Sequence, residues 1–292
     1  MIGMQRGLQL RDLPRRIVRN LRRRGLTGTL DAASRFLGAQ LYHRLADGID
    51  IMSMDWDTLI ILDAARADLL EEHSSFGVPV RRVRSPATHS WGYMIRSYLG
   101  RQLHDTVMVS ANPYVHDIPE GVFHAVYPVV GDVREANSLD PSHVTDTALQ
   151  AHEVHPQKRL IVHYMQPHAP YLHRDDPYPR APFDEARQTG DIDRLRADYL
   201  ENYSTVERHV HELVSHLSGK TVITADHGEA LGERFAGLRL FEHGHAVPVV
   251  FEVPLVSIPP TERRLIRSDA PQPFEPEPER TVEKHLRSLG YR

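Results

Sequence analysis

Hydrophobic positions along the chain follow two rhythms. Short, unbroken apolar runs at Thr58–Leu62, Arg159–Met165 and Thr221–Thr224 have the length and β-branched content of interior parallel strands. Elsewhere apolar residues recur three and four apart. Leu10, Leu13, Ile17 and Leu21 predict a helix over 8–24, with Arg11, Arg15, Arg16, Arg19, Arg22 and Arg23 on its remaining surface. Leu30, Ala33, Leu37, Leu41 and Leu45 predict a second helix after Thr29. Further helices are expected over 64–72, up to Leu99, over 142–155 and over 281–289, and a long amphipathic one over 192–217. Shorter strands are expected near 78–83, 106–109 and 122–126 and in the run Val247–Val253. Residues 172–190, rich in Pro, Asp and Arg, read as the longest irregular stretch and as a lid or substrate-selecting loop.

Apolar strands alternating with amphipathic helices predict an α/β fold: a central, mostly parallel sheet flanked by helices on both faces, with an N-terminal helical extension. The expected organisation is a basic helical extension over 1–50, a catalytic domain over 51–260, and a proline-rich tail over 261–292 that ends in a short helix. The 292 residues suffice for one sizeable core.

Charge divides the chain. Residues 1–46 carry ten Arg against two Asp, a net +8, while the whole chain is −4, so residues 47–292 carry −12. An acidic body is not expected to take nucleic acid as its ligand, whereas residues 1–28 suit peripheral contact with an anionic membrane. No cysteine is present, which excludes disulfides, thiolate metal sites and cysteine nucleophiles. No stretch approaches the roughly 20 apolar residues that span a bilayer, and the N-terminus lacks the plan of a secretion signal. The expected location is cytoplasmic, with attachment at the inner membrane face.

Chemistry gathers where the apolar runs end. Asp63 closes the first, with Arg66 three residues on, able to brace the carboxylate or meet an anionic substrate. Thr221–Thr224 runs into Ala225-Asp226-His227-Gly228-Glu229, and the run Arg159–Met165 leads to His168 between Pro167 and Pro170. In an open parallel sheet that edge is where ligands bind. An Asp–His pair suits zinc or manganese better than calcium. The elbow Arg84–Tyr93 offers hydroxyls at a helix start, where the plain reading of Ser90, and even of Thr88, is a cap. Asp63, Thr88, Asp226 and His227 can assemble at one sheet edge around a divalent cation that activates the threonine oxygen. His168 and one of His243 or His245 would then face a tetrahedral anion.

At this point the sequence resembles the alkaline phosphatase superfamily, and within it the sulfatase-like and phosphoglycerol-transferase-like branch. The resemblance rests on Leu62-Asp63-Ala64-Ala65-Arg66, Gln166-Pro167-His168-Ala169-Pro170-Tyr171, Ala225–Glu233, and a histidine ahead of Val253-Pro254. It implies a metal-dependent hydrolase or transferase acting on a phosphoester of a small molecule, glycan or lipid headgroup, through a covalent phospho-enzyme. Asp63, Asp226, His227 and Thr88 would ligate the metal, Thr88 would be the nucleophile with Ser85 in reserve, and His168 would face the transferred group. His243, His245, His168 and Arg66 would serve substrate or a second metal. One Mn or Zn ion is the simpler assignment, and a second, held by His168, His243 and an unassigned acid, is the alternative. Sulfate-ester hydrolysis and a catalytically silent membrane-docked scaffold are the other readings. The sulfatase Cys/Ser-x-Pro-x-Arg pattern is not met, because Ser85-Pro86-Ala87-Thr88 places its proline one position early and lacks the arginine.

Overall fold

The computed structural model describes residues 13–129, 140–176, 178, 180–260 and 262–273, with the backbone alone over 13–27. The helix expected over 281–289 lies outside the described residues. Seven strands form one sheet in the order β2-β9-β6-β1-β5-β3-β4. They are β1 (Thr58–Leu62), β2 (Arg81–Arg84), β3 (Leu103–Ser110), β4 (Phe123–Pro128), β5 (Arg159–Tyr164), β6 (Thr221–Thr224) and β9 (Glu252–Ile258). The five strands from β6 to β4 are parallel, and β9 and β2 close the other edge antiparallel. This is the mostly parallel α/β sheet that the apolar runs predict.

Every residue of β1 is buried, because helices cover both faces. Alternation sorts its side chains. Ile60 and Leu62 join Val162, Tyr164 and Ile223 in a core completed by α4 (Pro141–Val154) and α6 (Ile192–His216). Leu59 and Ile61 face the opposite way, into a core with Trp56 and with Tyr93, Met94 and Tyr98 of α3 (Ser90–Tyr98). The helix after β1, α2 (Ala67–His73), starts three residues later than the periodicity indicates, because Ala64 is in the left-handed region at φ 62°.

Three local readings differ from the sequence expectation. The two N-terminal helices are one, α1 (Leu13–Leu45), running through Gly25 and Gly28. A glycine costs a helix roughly 1 kcal/mol, and the tertiary contacts of residues 31–43, described below, offset that penalty. Residues 181–189, expected to be irregular, form α5 (Ala181–Thr189), which ends at Gly190 in the left-handed conformation; its Phe183 and Ala186 pack with Tyr171, Leu195 and Tyr199. The run Val247–Val253 is not a strand. It holds a single helical turn, α7 (Pro248–Phe251), and the strand β9 begins only at Glu252. A hairpin of β7 (Ala230–Phe235) and β8 (Leu238–Glu242) turns at Ala236-Gly237, both with positive φ. That two-residue turn usually announces itself as Asn-Gly or Asp-Gly, and alanine in the first place hides it from sequence.

Gly228 shows how closely α7 approaches the end of β6. Its amide donates to the Val250 carbonyl at 2.7 Å, and a Cβ at this position would lie 2.2 Å from the Val249 oxygen. Because the obstructing atom is backbone, Gly228→Ala is expected to lower stability by about 1–3 kcal/mol, read from urea unfolding midpoints. An unchanged midpoint would show that the approach is not constraining.

Candidate metal centre

Strand register builds the centre. Parallel pairing sets Ile61 of β1 against Thr224 of β6, so two residues further on Asp63 and Asp226 leave the sheet side by side. With His227 they offer three ligand atoms within 4.8 Å of one another, and all three residues are fully buried. The backbone fixes them. The Ala64 amide donates to Asp226 Oδ1 at 3.1 Å, as does that of His227 at 2.9 Å, and the Tyr199 hydroxyl ties down the Ala64 carbonyl at 2.9 Å. His227 Nδ1–H donates to the Gly228 carbonyl at 2.9 Å, which leaves the Nε2 lone pair facing Asp63 Oδ1 at 3.6 Å and Asp226 Oδ2 at 3.4 Å.

The hydroxyl that reaches this group is Ser90, the first residue of α3. Its Oγ donates to Asp63 Oδ2 at 3.2 Å and lies 3.2 Å from His227 Nε2. The cap of α3 is instead His89, whose Nδ1 accepts from the Gly92 amide at 3.1 Å. Since Nδ1 accepts, Nε2 carries the proton and points it at His43 Nε2, 3.0 Å away on α1. Asn112, beyond β3, donates to Asp63 Oδ2 at 2.8 Å, and His163 of β5 lies 3.7 Å from Asp63 and 3.9 Å from Asp226.

A second ligand group adjoins the first: His168, Glu229 and His243. Both proline bonds around His168, Gln166-Pro167 and Ala169-Pro170, are cis. His168 Nδ1–H is held by the Ala169 carbonyl, and Nε2 lies 3.9 Å from Glu229 Oε2. His243 Nδ1 lies 3.4 Å from Glu229 Oε1, with its ring centre 4.5 Å from that of His227. Glu229, three residues beyond Asp226, is an acid that could complete a ligand set with His168 and His243.

These residues fit divalent cations. Asp63 Oδ1, Asp226 Oδ2 and both Glu229 carboxylate oxygens are buried with no hydrogen-bond donor among the described residues, a costly state for carboxylates unless positive charge faces them. Burial and then the Asp63 charge push the Asp226 carboxyl up, and burial followed by the Glu242 charge pushes Glu229 well up. Asp63 goes the other way: against burial, the His163, His168 and His227 rings hold it at about 2. Burial depresses His168 and, further, His243, so that both rings are neutral and have lone pairs available as ligands.

The other expected site residues make no hydrogen bond to the side chains of Asp63, Asp226 or His227. Thr88 is buried; its hydroxyl has no hydrogen-bond partner among the described residues, and its carbonyl accepts from the Gly244 amide at 2.8 Å. Ser85 Oγ donates to the backbone carbonyl of Asp226 and accepts from the Ala87 amide, so it braces the elbow. Arg66 is bound by the chain itself. Its guanidinium is consumed by Asp68, Glu233 and the Glu229 carbonyl, which props the turn beneath Glu229. His245 turns away from the ligand groups, with Nε2 3.1 Å from the Phe241 carbonyl and 3.3 Å from Asp31 Oδ1. Ser90, Asn112, His163 and Glu229 are the site residues that sequence reading did not assign. Only Ser90 and Glu229 stood within motifs that pointed here.

Helix α1 forms one wall of the site. Asp31 accepts from the Phe241 amide, Arg35 pairs with Glu242 at 2.5 Å, and Gly38 lies flat on the Gly244–Ala246 backbone, where a Cβ would come within 2.8 Å of the Ala246 nitrogen. Buried Glu242 also receives Arg187 at 2.9 Å and Arg180 at 3.2 Å, both brought by α5 and its cap. Burial raises the Asp31 carboxyl, but the His245 hydrogen bond and the Arg35 and Arg187 charges outweigh it and leave the folded value below 3.8. A depressed carboxylate stabilises the fold above its unfolded pKa, and that contribution is lost as pH falls through the folded one. The stability deficit of Asp31→Asn, followed by urea unfolding, is therefore expected to be constant from about pH 7 to pH 5 and to shrink below about pH 4.

Neither a protein-family model nor a curated protein matches the sequence. Among solved structures, the chain is similar to the integral membrane lipooligosaccharide phosphoethanolamine transferase A (EptA) of Neisseria meningitidis. Identity is 15%, over 68% of this chain and 46% of that one, with a TM-score of 0.45. This chain thus spans less than half of the Neisseria protein. It is also similar to the C-terminal periplasmic domain of EptC from Escherichia coli in complex with zinc, at 13% identity over 74% of this chain and 76% of that one, TM-score 0.45. For the corresponding domain from Campylobacter jejuni, identity is 13% over 69% and 78%, TM-score 0.44. The expectation of a cytoplasmic protein is withdrawn on this finding, because these neighbours are periplasmic domains. The neighbours are phosphoethanolamine transferases and proteins described as sulfatases, which belong to the sulfatase-like branch of the alkaline phosphatase superfamily, the branch that the Asp63, His168 and Asp226 motifs resemble.

Proposed function

We propose that the protein is a metal-dependent phosphoester transferase or hydrolase whose nucleophile is Ser90. The observation that carries this reading is the Ser90 hydroxyl, set 3.2 Å from both Asp63 Oδ2 and His227 Nε2 within the three-residue ligand group. Asp63, Asp226 and His227 would hold one cation together with Ser90 Oγ, and His168, Glu229 and His243 a second. Bound there, zinc or manganese supplies positive charge that lowers the hydroxyl's pKa and neutralises charge on the substrate's phosphoryl oxygens.

The chain's own groups do the rest. Asn112 and the α3 start hold Asp63 and Ser90 in one geometry, so the attacking oxygen needs no reorganisation. Ser90 Oγ, oriented by Asp63 Oδ2, bonds to phosphorus as the ester P–O bond breaks, and the proton the hydroxyl gives up balances the one the departing oxygen takes to leave as an alcohol. Water or a second alcohol then attacks the phosphoserine and regenerates the hydroxyl. Among the hydroxyls of the elbow, Ser90 is favoured over Thr88 and Ser85, whose hydroxyls make no hydrogen bond to the side chains of Asp63, Asp226 or His227. The substrate class is a phosphoester of a small molecule, glycan or lipid headgroup.

A panel of aryl phosphate monoesters, phosphodiesters and sulfates, assayed with added zinc or manganese, tests the assignment. Ser90→Ala is expected to lose about three orders of magnitude or more in turnover, while Thr88→Ala retains activity. Acid-quenched wild type should carry phosphate on the peptide containing Ser90 by mass spectrometry. Turnover surviving in Ser90→Ala, or label on Thr88, would sink the assignment, and turnover of sulfates alone would favour sulfate-ester chemistry. Elemental analysis of dialysed protein is expected to give about two zinc ions per chain for wild type and about one for Glu229→Gln; an unchanged count in the variant would show that Glu229 holds no ion.

A further inference from the structure

The two faces of α1 have opposite surroundings. One carries Asp31, Arg35, Gly38 and Tyr42 and is docked on the loop that presents His243 and on the elbow before α3. The other carries Leu30, Leu37, Leu41 and Leu45, which are 43, 64, 56 and 76% exposed. At 100° per residue these four fall within an arc of about 80°, a single apolar stripe along the helix. Apolar residues scattered singly need no account, but an aligned row on one helix does.

What covers the stripe follows from charge. Residues 6–24, of which 13–24 belong to the same helix, contain eight arginines, one aspartate and no lysine or glutamate, whereas residues 47–292 carry −12. Leucine on one side and arginine nearby is the chemistry of a helix lying at a lipid–water boundary, apolar face in the acyl region and guanidinium groups on lipid phosphates. Pairing of two stripes across a two-fold axis would instead bring two such arginine-rich segments into one assembly, like charge against like. We propose that α1 lies on an anionic lipid surface along the Leu30–Leu37–Leu41–Leu45 stripe, so that the helix walling the candidate centre on one side is seated in the membrane interface on the other. This places the contact beyond residues 1–28. It also stands apart from the phosphoester reading, because its test measures partition and not turnover.

The full-length chain is floated with vesicles of phosphatidylcholine containing phosphatidylglycerol and with vesicles of phosphatidylcholine alone, wild type beside Leu37→Glu/Leu41→Glu/Leu45→Glu. The expected result is flotation of wild type with the anionic vesicles and a drop of about tenfold or more in the variant's bound fraction, with circular dichroism unchanged. Should the triple variant lose its fold, Leu41→Trp takes its place, with a blue shift of the added indole emission expected on anionic vesicles. Equal flotation of wild type and triple variant, no flotation of either, or an unshifted emission from the Leu41→Trp protein would overturn the proposal. So would a wild-type dimer in solution that the triple substitution dissociates, since the stripe would then be covered by a second copy.

Discussion

The parallel pairing of β1 with β6 is the constraint on which the centre depends. It delivers Asp63 and Asp226 to neighbouring positions in a dry interior, where two carboxylates repel each other and have lost their water. Much of the surrounding structure answers that problem. Asn112, Ser90 and the amides of Ala64 and His227 supply donors, and the His227 ring is turned by the Gly228 carbonyl so that its lone pair faces the same space. The donors do not satisfy every oxygen. Those left over, on Asp63 and Asp226 and on Glu229 next door, point to divalent cations as the natural partners of the site.

Local strain is concentrated at the same edge. Ala64, immediately after the first ligand, adopts φ 62°, a conformation that costs a residue with a Cβ roughly 1–2 kcal/mol. It is held there by the Tyr199 hydroxyl on its carbonyl and Asp226 on its amide. Glu242, at φ 67°, is held by three arginines drawn from α1, α5 and the residue capping α5. Both strained residues are fixed by side chains from distant parts of the chain, so the geometry of the centre is a property of the whole domain and not of the motifs alone. The saturation of these arginines also bears on recognition, because a guanidinium already spent on Glu242 or on Asp68 and Glu233 is a scaffold before it is a ligand for an anion.

By itself the sequence determined the class of fold and the raw materials of the site. Unbroken apolar runs ending in Asp63, in His168 and in Asp226-His227 specify interior strands with ligands at one edge, because strand burial and side-chain period are local properties. The tertiary structure decided which neighbours those residues meet. Two histidines two residues apart, His243 and His245, are equivalent on paper, and only the packing of α1 sends one to Glu229 and the other to Asp31. Ser85, Thr88 and Ser90 share the elbow, and only the orientation of α3 brings the Ser90 hydroxyl against Asp63 and His227. Glu229 was legible as part of a motif but not as a ligand, since its partners are 61 residues before it and 14 after it, at His168 and His243. Periodicity reports how a segment buries itself, whereas a binding site is made of contacts between segments, and those contacts exist only once the sheet has set its register.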